Sequence, residues 1–156
     1  MEENQTKTEK NIDRRTVDDQ STSISKIALA LSKVQSELIG AKKNAKGHFD
    51  NTYADLHAVI ESCKHILSKH EIAFVQGNRF KDGVFLVVTK LIHSSGEWLS
   101  SEMALPVPKG ANPQQIGSLQ TYGRRYGLAS MAGIAQYDDD ANLSSGINSQ
   151  SKKINN

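Results

Sequence analysis

Apolar residues recur at helical spacing over residues 24–38. They are Ile24, Ile27, Ala28, Leu31, Val34 and Leu38, with Lys26, Lys33 and Glu37 on other faces. This pattern predicts a first helix, closed by Gly40. A polar, basic stretch follows, AKKNAKGHFDNT, and reads as a loop. A second helix is expected to begin near Tyr53, capped by Asn51 or Thr52, with a core face of Leu56, Val59, Ile60, Cys63, Ile66 and Leu67. The period then changes. IAFVQGNRF, GVFLVVTKLIHS and GEWLSSEMALP are rich in β-branched and aromatic residues, and Asp82-Gly83 and Ser95-Gly96 mark turns between them. They predict a three-stranded antiparallel meander. In its third strand Leu99, Met103 and Leu105 share one face, with Ser100 and Glu102 opposite. Pro106, Pro108 and Gly110 end the sheet. Asn112-Pro113 then sets an N-cap and a first-turn proline at the head of a long third helix, PQQIGSLQTYGRRYGLASMAGIA. The fold class is α+β: a three-stranded antiparallel β-meander packed on a long C-terminal helix, preceded by two helices.

These elements span one domain, residues 23–140. Residues 1–22 and 141–156 are polar with few hydrophobes, and are expected to be disordered tails. The chain has 156 residues, enough for a real core without disulfides or metals. Its one cysteine, Cys63, cannot make an internal disulfide and is too few for a zinc site. No apolar run approaches the roughly 20 residues of a membrane span, and MEENQTKTEKNIDRRTVDDQ is not a signal peptide. A reducing cytoplasm is the expected location, with no membrane partner.

Charge changes this picture. The net charge is +2, but residues 24–131 carry thirteen Lys/Arg against eight Asp/Glu, while residues 1–20 carry four against six. A basic domain with acidic or polar flanks points to a polyanion partner. Charge alone does not separate that from an ordinary solvated surface. On a helical wheel of residues 113–134, Ile116, Leu119, Tyr126 and Ile134 form the side facing the sheet, flanked by Tyr122, Gly123, Ser130 and Gly133. Arg124 and Arg125 fall roughly opposite, and no acid lies three or four residues from either. Two exposed guanidinium forks on an anchored helix suit phosphate oxygens. Gly117, Gly123, Gly127 and Gly133 each cost the helix about 1 kcal/mol against alanine, so each needs a reason. Packing against the sheet accounts for Gly123 and Gly127; close approach of DNA or a neighbouring subunit would account for Gly117.

The second candidate site is the basic stretch itself. Lys42, Lys43 and Lys46 are followed by Phe49 and Tyr53, the cations and aromatic platforms that single-strand binders combine. Tyr53 is also expected at a helix N-terminus, where N–H groups favour an anion. The alternative is a flexible basic loop with both rings in the core. Other chemistry has little support. No G-x-x-x-x-G-K-[ST] loop is present, which argues against an ATPase, and the five histidines form no ligand pattern. No catalytic residue and no cofactor is required. Asp138, Asp139 and Asp140 form the one acidic cluster. They could hold Mg²⁺, as in a metal nuclease, or meet a basic surface of a neighbouring protomer and order an oligomer.

The run GSLQTYGRRYGLASMAGIAQYDDD, preceded by FDNTYADLHAVIESCKHILSKHEIAFVQ and LIHSSGEWLSS, closely resembles the Erf (essential recombination function) family of phage single-strand annealing proteins. The resemblance covers roughly residues 26–142 in order and spacing. It implies a relation to Red-beta-type recombinases, a sheet packed on a long helix, and assembly into rings or filaments. It implies single-stranded DNA binding and annealing of complementary strands without nucleotide hydrolysis, so not an enzyme, inside a bacterial host cell. A passive single-strand binder, or the metal nuclease, is the alternative. A phage exonuclease and the host single-strand-binding protein are the further partners it implies. Tyr53, Tyr122, Arg124, Arg125 and Tyr126 are the positions it carries over, with Tyr126 structural because it falls on the core stripe. Little follows the acidic run, so any C-terminal partner-binding domain is expected to be absent or reduced to a polar tail.

Overall fold

A computed structural model describes residues 19–47 and 51–137. Helix α1, Ser25–Glu37, buries Ile27, Ala30 and Val34. Its N-cap, Ile24, has no side chain to offer the first turn. Glu97, more than seventy residues later, does that work. Its Oε2 accepts from the N–H groups of Lys26 (2.7 Å) and Ile27 (2.9 Å), and its Oε1 accepts from the Ser23 hydroxyl (2.8 Å). The Ile27 N–H bond is the main reason its carboxyl sits below the ordinary value of 4.5. The helix ends at Glu37, before the predicted stop at Gly40. Gly40 serves a close approach instead: a Cβ there would lie 2.7 Å from the Ala135 carbonyl oxygen, and its φ is +110°.

The basic stretch is not a plain loop. Strand β1, Ala41–Lys42, pairs in parallel with β7, Gln136–Tyr137; β2, Ala45–Lys46, pairs antiparallel with β3, Thr52–Tyr53. The second pairing holds Thr52 and Tyr53 extended, so α2 cannot begin there. It runs Leu56–Lys69, and its cap is Asp55, not Asn51 or Thr52; the Asp55 carboxylate accepts from Ala58 N at 2.8 Å. That bond is the first cause of the lowered Asp55 pKa. Tyr53 therefore lies on a strand ahead of the helix, not at its N-terminus.

Strands β4 (Ile72–Lys81), β5 (Val84–His93) and β6 (Trp98–Pro106) form the predicted meander, with β5 central. Asp82 and Gly83 both take positive φ, 51° and 76°, and pair Lys81 with Val84 across a two-residue turn. One face of β5, carrying Phe85, Val87, Thr89 and Leu91, is buried. Helix α3, Pro113–Ala132, lies on that face. The same core takes Ile27 and Val34 from α1, Val59, Cys63 and Leu67 from α2, and Leu128 and Ala132 from α3. Burial pushes the Cys63 thiol up to about 11.

Part of the expected N-terminal tail is built into the fold. Gln20 bridges Leu99, Ser100 N donates to Asp19 O (2.7 Å), and Ser21 N donates to Trp98 O (2.9 Å). An edge strand presents unpaired backbone groups, and residues 19–21 satisfy those of Trp98 and Ser100 at the start of β6. No helix among the described residues is long and apolar enough to cross a membrane.

Candidate nucleic-acid interface

Helix α3 begins as its sequence predicts. Asn112 Oδ1 accepts from Gln115 N and Gln115 Oε1 accepts from Asn112 N, both at 2.9 Å, with Pro113 in the first turn. The helix then touches the sheet through glycine. A Cβ on Gly123 would fall 2.5 Å from Val87 Cγ2, and one on Gly127 2.5 Å from Thr89 Oγ1. Gln76 of β4 locks this contact. Its Nε2 donates to Thr89 Oγ1 (2.9 Å) and to the Arg124 carbonyl (2.8 Å).

A second side of α3 is also buried. Arg125, Leu128 and Ala132 follow one another at intervals of three and four, and the last two join the α2 core. The single core stripe expected from the wheel is therefore two stripes, one against the sheet and one against α2. This corrects the reading of Arg125. Its side chain is 9% exposed, not solvated. Its guanidinium carbon lies 4.3 Å from the centre of the Tyr53 ring, 4.8 Å from Tyr126 and 5.6 Å from Tyr122. Nη1 donates to the Ala54 carbonyl at 3.5 Å, and the buried Nε has no partner. Among the described residues no carboxylate pairs with this charge. The three rings supply the counter-field: a desolvated cation over an aromatic face gains about 2 kcal/mol.

The basic hairpin brings Tyr53 to this cluster. Tyr53 pairs with Ala45; Asn44 N donates to Tyr53 O (3.0 Å), and Asn44 Oδ1 accepts from Asp55 N (2.9 Å). Gln136 of β7 closes the far side, its Oε1 accepting from Ala54 N at 2.8 Å. Lys42 and Lys46 lie exposed on the same segment, and Lys43 is half-buried. Tyr122, expected beside the core, is 46% exposed and packs on Tyr126 with ring centres 4.5 Å apart. Tyr126 is more than a core residue, because it is one of the three rings around Arg125. Arg124 is turned away from the cluster. It is half-buried, with Nε donating to Gln76 Oε1 at 3.3 Å. Phe49 and the acidic run Asp138, Asp139 and Asp140 lie outside the described residues, as does the tail 141–156.

A cavity of about 630 Å³ opens beside the cluster, lined by Tyr53, Asp55, Gln114, Gly117, Thr121 and Tyr122 among others, with Arg125 in its wall. A second, of about 310 Å³, lies on the other side of Tyr122, against Pro108, Gln115 and Leu119. Tyr122 thus stands as a ridge between two hollows. Helical spacing predicted that Tyr122 would flank the core; the resemblance carried it over as a binding position, and its exposure comes from the structure.

Aromatic faces, a guanidinium with few protein partners and a neighbouring basic hairpin meet here, the kinds of group that single-strand binders combine. The ERF superfamily model matches residues 27–156. The chain belongs to the ERF superfamily. No curated protein and no solved structure matches it significantly. The match runs from within α1 through β7, so the Tyr–Arg cluster lies inside the matched region.

Proposed function

We propose that the chain binds single-stranded DNA and anneals complementary strands in phage-type homologous recombination, without ATP. Membership of the ERF superfamily over residues 27–156 carries the reading. In this reading the strand lies along the exposed side of α3, across Tyr122, toward Lys42 and Lys46 of the basic hairpin. A meander backed by a long helix is compatible with a relation to the Red-beta-type recombinases. Contacts through phosphates and ring faces are indifferent to sequence, as annealing requires. Held this way, a strand offers bases to a partner without first melting its own hairpins.

Among the described residues no group of three His, Cys, Asp or Glu side chains could hold a metal ion. The acidic run directly follows Tyr137, whose backbone pairs with Lys42. We assign it to contacts between protomers of a ring or filament. Replacing all three aspartates with Asn then shrinks the oligomer at low salt, and an unchanged size by light scattering would sink that assignment.

Two complementary oligonucleotides carrying a fluorophore and a quencher test the function. Pairing faster than the spontaneous rate, with no nucleotide added, supports annealing. Coating without pairing makes the protein a passive binder, and Mg²⁺-dependent loss of strand makes it a nuclease.

A further inference from the structure

Three glycines of α3 differ in what surrounds them. Gly123 and Gly127 meet Val87 and Thr89, so the sheet requires them. Gly117 meets nothing: a Cβ there has open space within 4 Å. It is exposed, inside a helix, with no turn to make. Packing and backbone geometry both leave it unexplained. It does form part of the wall of the 630 Å³ cavity, as do Tyr53 and Tyr122. A side chain there would enter open space at the cavity wall.

We infer that this cavity takes one nucleobase of the bound strand, lifted out of the stack, and that Gly117 keeps the space open for it. The inference rests on the single-strand-binding reading above and adds a subsite to it. The volume falls within the range of small-ligand sites, about 300–1,000 Å³. Tyr53 and Tyr122 offer ring faces for stacking. Arg125 lines the cavity with a single 3.5 Å bond from Nη1 to Ala54 O, so Nη2 has no hydrogen-bond partner among the described residues and its N–H donors suit a carbonyl oxygen or ring nitrogen. The Gln114 amide can donate or accept. The Thr121 hydroxyl donates to Gly117 O at 3.0 Å and keeps lone pairs for an amino group.

The lining selects a base over a phosphate. Only Arg125 and Asp55 are charged there, and their charges cancel. A dianionic or monoanionic group gains little from a neutral wall, whereas a neutral heterocycle gains faces and hydrogen-bonding edges. Each protomer then withholds one base from pairing and leaves its neighbours exposed to the complementary strand.

The test uses the full chain and a single-stranded oligonucleotide carrying 2-aminopurine. Gly117→Leu fills the cavity, and Gly117→Ala adds only a methyl group to open space. The leucine variant is expected to lose about tenfold or more in affinity and to lose the 2-aminopurine response, with Tm at or above that of the wild type. The alanine variant keeps its affinity within about twofold. An oligonucleotide of abasic residues, with phosphates intact, should bind the wild type as weakly as normal DNA binds Gly117→Leu. The inference is overturned by a leucine variant with wild-type affinity and fluorescence, or by abasic DNA that binds the wild type as well as normal DNA. A wild-type chain that binds no single strand overturns the annealing reading as well, which separates the two failures.

Discussion

Gly123→Ala is a direct test of how α3 is seated. The added Cβ would stand 2.5 Å from Val87 Cγ2 and 2.9 Å from Leu105 Cδ1, against 3.4 Å for ordinary contact. One of these groups must move by about 0.9 Å. Val87 is 1% exposed, sits on the central strand, and has a β-branched side chain with few rotamers, so it cannot yield alone. The helix must lift from the sheet, stretching the Gln76 bonds to Thr89 and to the Arg124 carbonyl. Overpacking of this kind costs about 1–3 kcal/mol. Alanine returns about 1 kcal/mol through helix propensity. Because Val87 cannot yield, the cost falls at the upper end of that range and the net loss is about 2 kcal/mol, a fall in Tm of roughly 4–8 °C. Thermal unfolding followed by circular dichroism measures it. Adding Val87→Ala removes the clashing methyls, so the double variant should lose less than the sum of the two single losses. A Gly123→Ala protein as stable as the wild type would refute the close seating of helix on sheet.

The carboxylate of Glu97 is held below its ordinary value of 4.5 by the head of α1, so its contribution to stability is complete above that value and is lost as pH falls through the lower, folded pKa. Glu97→Gln should remove that part of the acid-side fall in Tm while the fall due to Glu37, Asp55 and Glu61 persists; identical pH profiles would contradict the cap. Arg124→Ala, at a half-buried site turned away from the Tyr–Arg cluster, tests whether the strand also reaches that side of α3: weaker binding with a log–log salt slope reduced by about 0.7 would place a phosphate there, and wild-type values would keep the strand on the Tyr122 side. Arg125→Met should keep Tm at or near the wild-type value yet weaken binding; a lower Tm with full binding would make Arg125 purely structural. Cys63, buried with its thiol pushed up to about 11, should resist thiol reagents near pH 8 until the protein unfolds, and rapid labelling of the native chain would overturn its burial.

The sheet was the most legible part of the sequence because its signals are local. Alternation in GVFLVVTKLIHS and the Asp82-Gly83 pair fix strand and turn within a few residues, and the observed β5 and its register agree. The Asn112-Pro113-Gln114-Gln115 head of α3 is local in the same way. What misled was long-range. The cap of α1 comes from Glu97, so no residue near Ser25 announces it. The pairing of Ala45 with Tyr53 delays α2, and that pairing depends on two-residue strands too short to leave a period. The burial of Arg125 comes from the rings of Tyr53, Tyr122 and Tyr126 that close around it, and Tyr53 is far from it in sequence. A wheel assumes one buried stripe, but a helix held between a sheet and a second helix has two. The domain edge shifted for a related reason, since the polar residues 19–21 join the fold through backbone bonds rather than hydrophobicity.

The placement of Arg125 still calls for an account of why an arginine stands there. Burying an unpaired ion costs several kcal/mol. Three ring faces offset a cost of that size, but a methionine would fill the same length with no desolvation to offset. As a strut between α3 and β3, arginine is thus the poorer choice. What it alone supplies is a set of N–H donors at a cavity wall, backed by aromatic faces instead of a bonded carboxylate. A bonded carboxylate would occupy those donors; the rings do not. A donor array of this kind accepts any base edge that carries an oxygen or a ring nitrogen, and ring faces accept any base plane. Under the annealing proposal, pairing strands of arbitrary sequence needs that tolerance, and the arrangement around Arg125 would supply it without requiring the arginine to reach solvent.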